Sequence, residues 1–145
     1  MASVHDVAAY ILEHQGPMST MRLQKLVYYC QAWHLVWDDE PLFDAKIEAW
    51  ANGPVCPDLY REHRQMFGVD SWPSGDSSRL AEKERETIDL VLDFYGKKDA
   101  QWLSDLTHVE RPWREARREL PDGAPGRNEI DRVAIYEYYS NLPRK

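Results

Sequence analysis

The chain has 145 residues, enough for one domain with its own core and no need of a disulfide or metal. Hydrophobic residues make up 43% and charged residues 30%, which excludes disorder throughout. Acidic residues outnumber basic ones by 25 to 18, giving a net charge of −7, and this balance argues against a nonspecific nucleic-acid surface. No apolar run approaches the length of a membrane span. The start, Met1 to Asp6, lacks the basic and apolar stretches of a secretory leader. The expectation is a cytoplasmic protein without nucleic-acid or membrane partners. Cys30 and Cys56 are too few for a zinc site and read as small, reduced, buried residues. Six Trp and eight Tyr are many for this length, and such rings serve cores and interfaces alike.

The predicted elements run as follows. Residues 3–15 read as a helix, capped by Ser3 and closed by Gly16-Pro17. Residues 20–37 carry the strongest periodic signal. Leu23, Leu26, Val27, Cys30, Trp33, His34 and Trp37 recur at helical spacing, so this is the expected central buried helix. Asp38 to Pro41 breaks it. Ile47, Ala49 and Ala51 alternate with polar or bulky neighbours, Asn52-Gly53-Pro54 turns, and Val55-Cys56 runs back as a small hairpin. Pro57 opens a helix expected to reach Met66-Phe67 and stop at Gly68. Residues 68–77 form a loop that holds Trp72. Ser77 or Ser78 is expected to cap a helix through Tyr95, whose outer face (Glu82 to Glu86) reads as solvated. Short helices follow from Asp99 and from Pro112, the second running from Trp113 to Arg118. Residues 119–128 form a second loop, rich in Pro and Gly. Asn128 and Asp131 suggest a capping box for a final helix that ends before Pro143, with Ile130, Val133, Ala134 and Tyr138 inward.

Catalytic constellations are hard to find. The chain has neither of the glycine-rich phosphate loops nor an H-E-x-x-H motif. Its five histidines are scattered, and His34 reads as a core histidine satisfied by a local partner. Cys30 lies mid-helix on the apolar face, where burial suppresses thiol reactivity, and Cys56 has no adjacent base. Asp38, Asp39 and Glu40 read as a solvated turn. The sharpest charge feature is Arg111, Arg114, Arg117 and Arg118, net +3 over 111–118 after Glu115 is subtracted. Arg114, Arg117 and Arg118 can share a helix face. One reading pairs them with acids such as Glu110 and Glu119. The other makes them a contact patch for an acidic partner or a phosphate.

Four ordered blocks carry a family resemblance. The run Leu23 to His34 (LQKLVYYCQAWH) resembles the L-Q-K-L-x-Y-Y-x-Q-x-W-H helix of the Panacea domain, the SocA-like antitoxin family. Pro41 to Asp44 with Ile47 to Trp50 resembles its P-L-F…I-E-A-W segment. Asn52 to Tyr60 resembles its G-P-V-x-P-x-L-Y turn, with Cys56 where other members often carry Val. Leu103 to His108 with Pro112-Trp113 resembles its L-S-x-L-T-H…P-W block. The resemblance spans about residues 4–140.

The resemblance implies a mainly α-helical antitoxin that neutralises a cognate protein toxin by direct stoichiometric binding, the toxin gene lying next to its own. It implies no catalysis. The alternative it leaves open is a proteolytic adaptor that delivers the toxin to a Clp-type protease. An enzyme that reverses the toxin's action is the third class. Some family members carry an added DNA-binding domain, and this chain is expected to lack one. The matched residues are mostly aromatic, Gly and Pro, at positions already assigned to packing and turns; Trp33 and Trp50 are expected in the core. The signature therefore reads as scaffold, with partner choice set by variable surface. The expectation is a single compact helical domain with a small β-hairpin and no metal or cofactor. The candidate partner-binding residues are Tyr60, Arg64 and Phe67 on one helix, Trp72 in the adjoining loop, and Arg114 and Arg117. Trp72 either docks on the partner or folds back onto its own domain.

Overall fold

A computed structural model describes residues 1–121 and 123–142. Seven α-helices and five short strands alternate along these residues. The first helix, α1 (Val4–Gln15), starts where the Ser3 hydroxyl accepts from the His5 amide at 3.2 Å. It stops at Gly16, whose φ of 80° suits a residue without a Cβ. Strand β1 (Met18–Ser19) leads into α2 (Thr20–Asp38), where Ser19 caps the Arg22 amide at 3.1 Å. Helix α2 is the hub, touching α1, α4 (Glu82–Phe94), α5 (Ala100–Val109) and α7 (Arg132–Ser140). Being surrounded, it is buried on several sides: Leu23, Leu26, Val27 and Cys30 have no exposure. Truncating one of these leucines to Ala costs about 2–5 kcal/mol. Trp33 is half-buried and Trp37 exposed, so the stripe is driest at its N-terminal end.

The hairpin forms as expected. Strand β2 (Glu48–Trp50) pairs antiparallel with β3 (Gly53–Val55), Glu48 opposite Val55. At Gly53, φ is 122°, and a Cβ would stand 2.4 Å from Lys25 Cε, so turn and packing both require glycine. Short α3 (Pro57–His63) follows, with Pro57 in its first turn, and α6 (Arg111–Ala116) follows α5 directly. One hydrophobic cluster joins α1, α2, the hairpin, α4, α5 and α7.

Several boundaries differ from expectation for identifiable reasons. Helix α3 ends at His63, short of Met66-Phe67. Beyond it, β4 (Gly68–Val69) pairs with β1, and the Thr20 amide donates to Phe67 O at 2.9 Å, pulling the chain out of the helix. The expected helix from Ser77 is a 3₁₀ turn (Ser77–Arg79) capped by Asp76, and α4 starts afresh at Glu82. Its entry is marked by the Ala81 amide donating to Glu84 Oε1 at 2.7 Å. The capping box expected at Asn128 does not form. Asn128–Glu129 is instead strand β5, paired with β2, and Asp131 precedes α7. Val133 accordingly faces solvent, 60% exposed, while Ile130 is buried. Pro143, expected to end the final helix, lies outside the described residues.

Candidate functional site

The polar residues of the α2 motif point inward, and each holds a different part of the chain. The Gln24 amide closes on Cys56: its Oε1 accepts from Cys56 N at 2.8 Å and its Nε2 donates to Cys56 O at 3.2 Å. The same Nε2 lies 2.9 Å from His63 Nε2, so His63 accepts there as a neutral ring, and burial lowers its pKa. Lys25 is buried and donates to Pro54 O at 3.2 Å, with burial lowering its pKa to about 8. Gln31 holds the Leu42-Phe43 backbone by accepting from Leu42 N at 2.7 Å and donating to Phe43 O at 3.0 Å. His34 shares a 2.8 Å hydrogen bond with Thr87 Oγ1 on α4 and stands 3.3 Å from Asp38. Burial lowers its pKa, as a core histidine requires.

A second set comes from α5 and α6. Four consecutive carbonyls of the hairpin, residues 49–52, each meet a side chain: Ser104 Oγ donates to Asn52 O at 2.8 Å, and His108 Nε2 lies 3.1 Å from Ala51 O. Trp113 Nε1 donates to Trp50 O at 2.8 Å, and Arg117 donates to Ala49 O at 2.9 Å. A buried carbonyl without a partner costs about 1–3 kcal/mol, so this series fixes the hairpin on the helices. The last block of the sequence pattern and the turn block are thus two sides of one contact.

The third set is aromatic. Glu110, in the step between α5 and α6, is 5% exposed. Its Oε1 accepts from Tyr29 and from Tyr139, both at 2.7 Å. Since Tyr139 donates to the carboxylate, Tyr28 donates to Tyr139, at 3.0 Å. Tyr95 stacks on Tyr29 with centroids 4.1 Å apart and accepts from Trp33 Nε1 at 3.0 Å. Burial raises the Glu110 pKa against the two phenol hydrogen bonds, which lower it. The expectation that Glu110 neutralises the neighbouring arginines is therefore corrected: its carboxylate is turned into the core.

The thiols are buried, as expected. Burial raises both pKa values, that of Cys56 to about 11, which makes each a weak nucleophile. Among the described residues, no three His, Cys, Asp or Glu side chains gather where they could hold a metal.

One feature open to a ligand is a cleft of about 610 Å³ on the outer side of α6. Arg111, Arg114, Arg117 and Arg118 line it, with one acid, Glu115. Trp113 and Tyr138 add aromatic wall, and Val109 and Leu120 aliphatic wall. Arg111 pairs loosely with Glu115 at 3.6 Å and sits 6.0 Å from the Tyr138 ring centre. No carboxylate among the described residues pairs with Arg114, Arg117 or Arg118.

The expected partner-binding residues scatter. Arg114 is exposed in the cleft, whereas Arg117 is 4% exposed at its base. The Arg117 guanidinium is held by the Ala49 and Ala124 carbonyls and lies 5.2 Å from the Trp113 ring centre, so it does not share the open face of Arg114. Trp72 folds back: it is 7% exposed and donates to His5 Nδ1 at 3.1 Å. Tyr60 is half-buried, edge-on to Trp50 at 4.8 Å. Arg64 and Phe67 lie past the end of α3, so these three do not share a helix face. Phe67 is 88% exposed and Met66 50%, forming an apolar tip between α3 and β4. The sequence reading missed Tyr138, Val109 and Leu120 as cleft walls. No spacing signal links Tyr138 to α6, because the contact depends on how α6 and α7 pack.

Comparison with known proteins places this architecture. The family described as antitoxin SocA-like, Panacea domain, matches residues 23–114, from the start of the α2 motif to Arg114. Antitoxin SocA of Caulobacter vibrioides (strain NA1000 / CB15N) is 44% identical over 115 residues, covering 67% of this chain and 58% of that protein. The chain therefore spans little more than half the length of that relative. No solved structure matches it. The family match covers well over half of the chain and includes all four motif blocks, so the chain belongs to the SocA-like antitoxin, Panacea domain family.

Proposed function

We propose that this chain is the antitoxin of a toxin–antitoxin pair and neutralises its toxin by stoichiometric protein–protein binding, without catalysis. The observation that carries this reading is the match of residues 23–114 to an antitoxin family, joined to the inward direction of the matched polar residues. Gln24, Lys25, Gln31 and Ser104 are spent on the chain's own backbone. On this reading the signature maintains a scaffold, and the surface outside it selects the partner. Two exposed features are suited to that work: the arginine cleft and the Met66-Phe67 tip. Arg and large aromatic side chains are the residues that most often anchor protein interfaces. The partner is a protein toxin encoded next to this chain.

Co-expression and co-purification test the proposal. The neighbouring reading frame, expressed alone, arrests growth; with this chain present, growth recovers and the two proteins co-purify in equal amounts. Absence of toxicity, or of binding and rescue, contradicts it. Disappearance of the toxin that depends on a Clp-type protease identifies an adaptor instead.

A further inference from the structure

We infer that the cleft beside α6 binds an acidic, apolar-flanked polypeptide segment of the toxin, with Arg114 and Arg118 as the carboxylate-recognising pair. This rests on the antitoxin reading and specifies its chemistry. Three observations lead to it.

The first is charge. Four arginines and one glutamate line the cleft in a chain of net charge −7. Arg117 is nearly buried at its base, with carbonyls and an aromatic ring for neighbours and no carboxylate among the described residues. A desolvated cation without a counter-ion projects a strong field into the space it borders, because little water screens it. Glu110, at the start of α6, points away and is engaged by Tyr29 and Tyr139.

The second is donor geometry. The Arg117 fork is occupied by Ala49 O and Ala124 O, and Arg111 leans on Tyr138 and Glu115. Arg114 and Arg118, both exposed, have no hydrogen bond from their side chains to a described residue, so their planar forks are available. A guanidinium fork matches a carboxylate bidentately.

The third is the apolar wall. Val109 is 66% exposed, and Tyr138 and Leu120 are half-buried. An inorganic anion leaves that surface wet, whereas a peptide segment covers it with an aliphatic or aromatic side chain while its carboxylates meet the arginines. A nucleic acid fits less well, since a long polyanion meets a chain whose net charge is −7.

The test uses this chain with the toxin encoded beside it. Binding is measured for the wild type, for Arg114→Glu/Arg118→Glu, and for Lys83→Glu/Lys97→Glu, which changes the net charge equally at exposed sites elsewhere. The cleft variant is expected to weaken toxin binding by roughly 100-fold, and the control by less than about threefold. A direct readout comes from Arg114→Lys: carbodiimide treatment of the complex joins the introduced amine to an Asp or Glu of the toxin. Unchanged affinity in the cleft variant, with wild-type binding intact, overturns the inference and leaves the antitoxin reading standing. Failure of the wild type to bind removes the reading itself. Stabilisation of the wild type by pyrophosphate, absent in the cleft variant, with toxin binding unaffected, identifies a phosphate site and also overturns the inference.

Discussion

Glu110 and Arg114 are four residues apart, and they belong to two different environments. On the inner side, Glu110 is enclosed by Tyr29 and Tyr139, and Tyr28 donates in turn to Tyr139. On the outer side, Arg114 and Arg118 face a cleft with no described carboxylate paired to them. The inner region is complete by itself: among the described residues, every buried side-chain nitrogen or oxygen has a hydrogen-bond partner. The outer region leaves the exposed Arg114 and Arg118 side chains without a hydrogen bond to any described residue. A satisfied polar core favours a unique fold, and an exposed charged surface is where electrostatic recognition of a partner acts. Substitutions on the two sides should therefore separate stability from recognition.

The largest expected effect is on the inner side. Glu110→Ala removes the acceptor shared by two buried phenols and should destabilise the chain by about 4 kcal/mol in urea unfolding. The fraction that remains folded should still bind toxin. Glu110→Gln retains an acceptor and should cost about 1–2 kcal/mol.

Lys25 tests the same side through pH. Its folded pKa of about 8 lies below the ordinary lysine value of 10.5, with burial as the cause. The unfolded chain thus binds more protons between those two values, and stability rises with pH across them. Below pH 8 the buried ammonium carries a penalty of roughly 3 kcal/mol relative to the unfolded chain. Lys25→Met should remove that dependence and be at least as stable as the wild type at pH 7. The stability difference between the two proteins, followed from pH 7 to 10.5, isolates this amine from the tyrosines and Cys56. A constant difference would contradict the assignment.

Trp72→Phe removes the hydrogen bond to His5 but keeps most of the buried ring, and should cost about 1 kcal/mol in thermal or urea unfolding. Toxin affinity should not change. A large loss of affinity without loss of stability would return Trp72 to the interface. The smallest effects belong to the outer side: Arg111→Ala breaks an exposed ion pair with Glu115, and Arg114→Ala and Arg118→Ala break none among the described residues. Each should alter stability by less than about 0.5 kcal/mol.

Legibility in the sequence follows the same division. Helix α2 was readable because its period, cap and motif agree, and because its partners surround it. The hairpin was readable because Asn52-Gly53-Pro54 is a local turn signal. The end of α3 was not, since the β4 pairing that stops it comes from Met18–Ser19, far away in the chain. Asn128 suffered the same fate, recruited by β2 rather than by the helix that follows. At the candidate site, the arginine cluster was visible as composition, but not which arginine turns inward. Arg117 goes in because the Ala49 carbonyl needs a donor, and Arg114 stays out; helical spacing alone gave both the same face. The role of Glu110 was likewise hidden, because its tyrosine partners lie 81 and 29 residues away.

The most direct test of the account is a titration. Purified toxin at a fixed concentration well above the dissociation constant is mixed with increasing amounts of this chain, and residual toxin activity is measured. The account predicts a linear fall to zero at an equimolar ratio, with activity restored when the complex is separated. Full inactivation by a small fraction of an equivalent, with the toxin remaining inactive after this chain is removed, would contradict it.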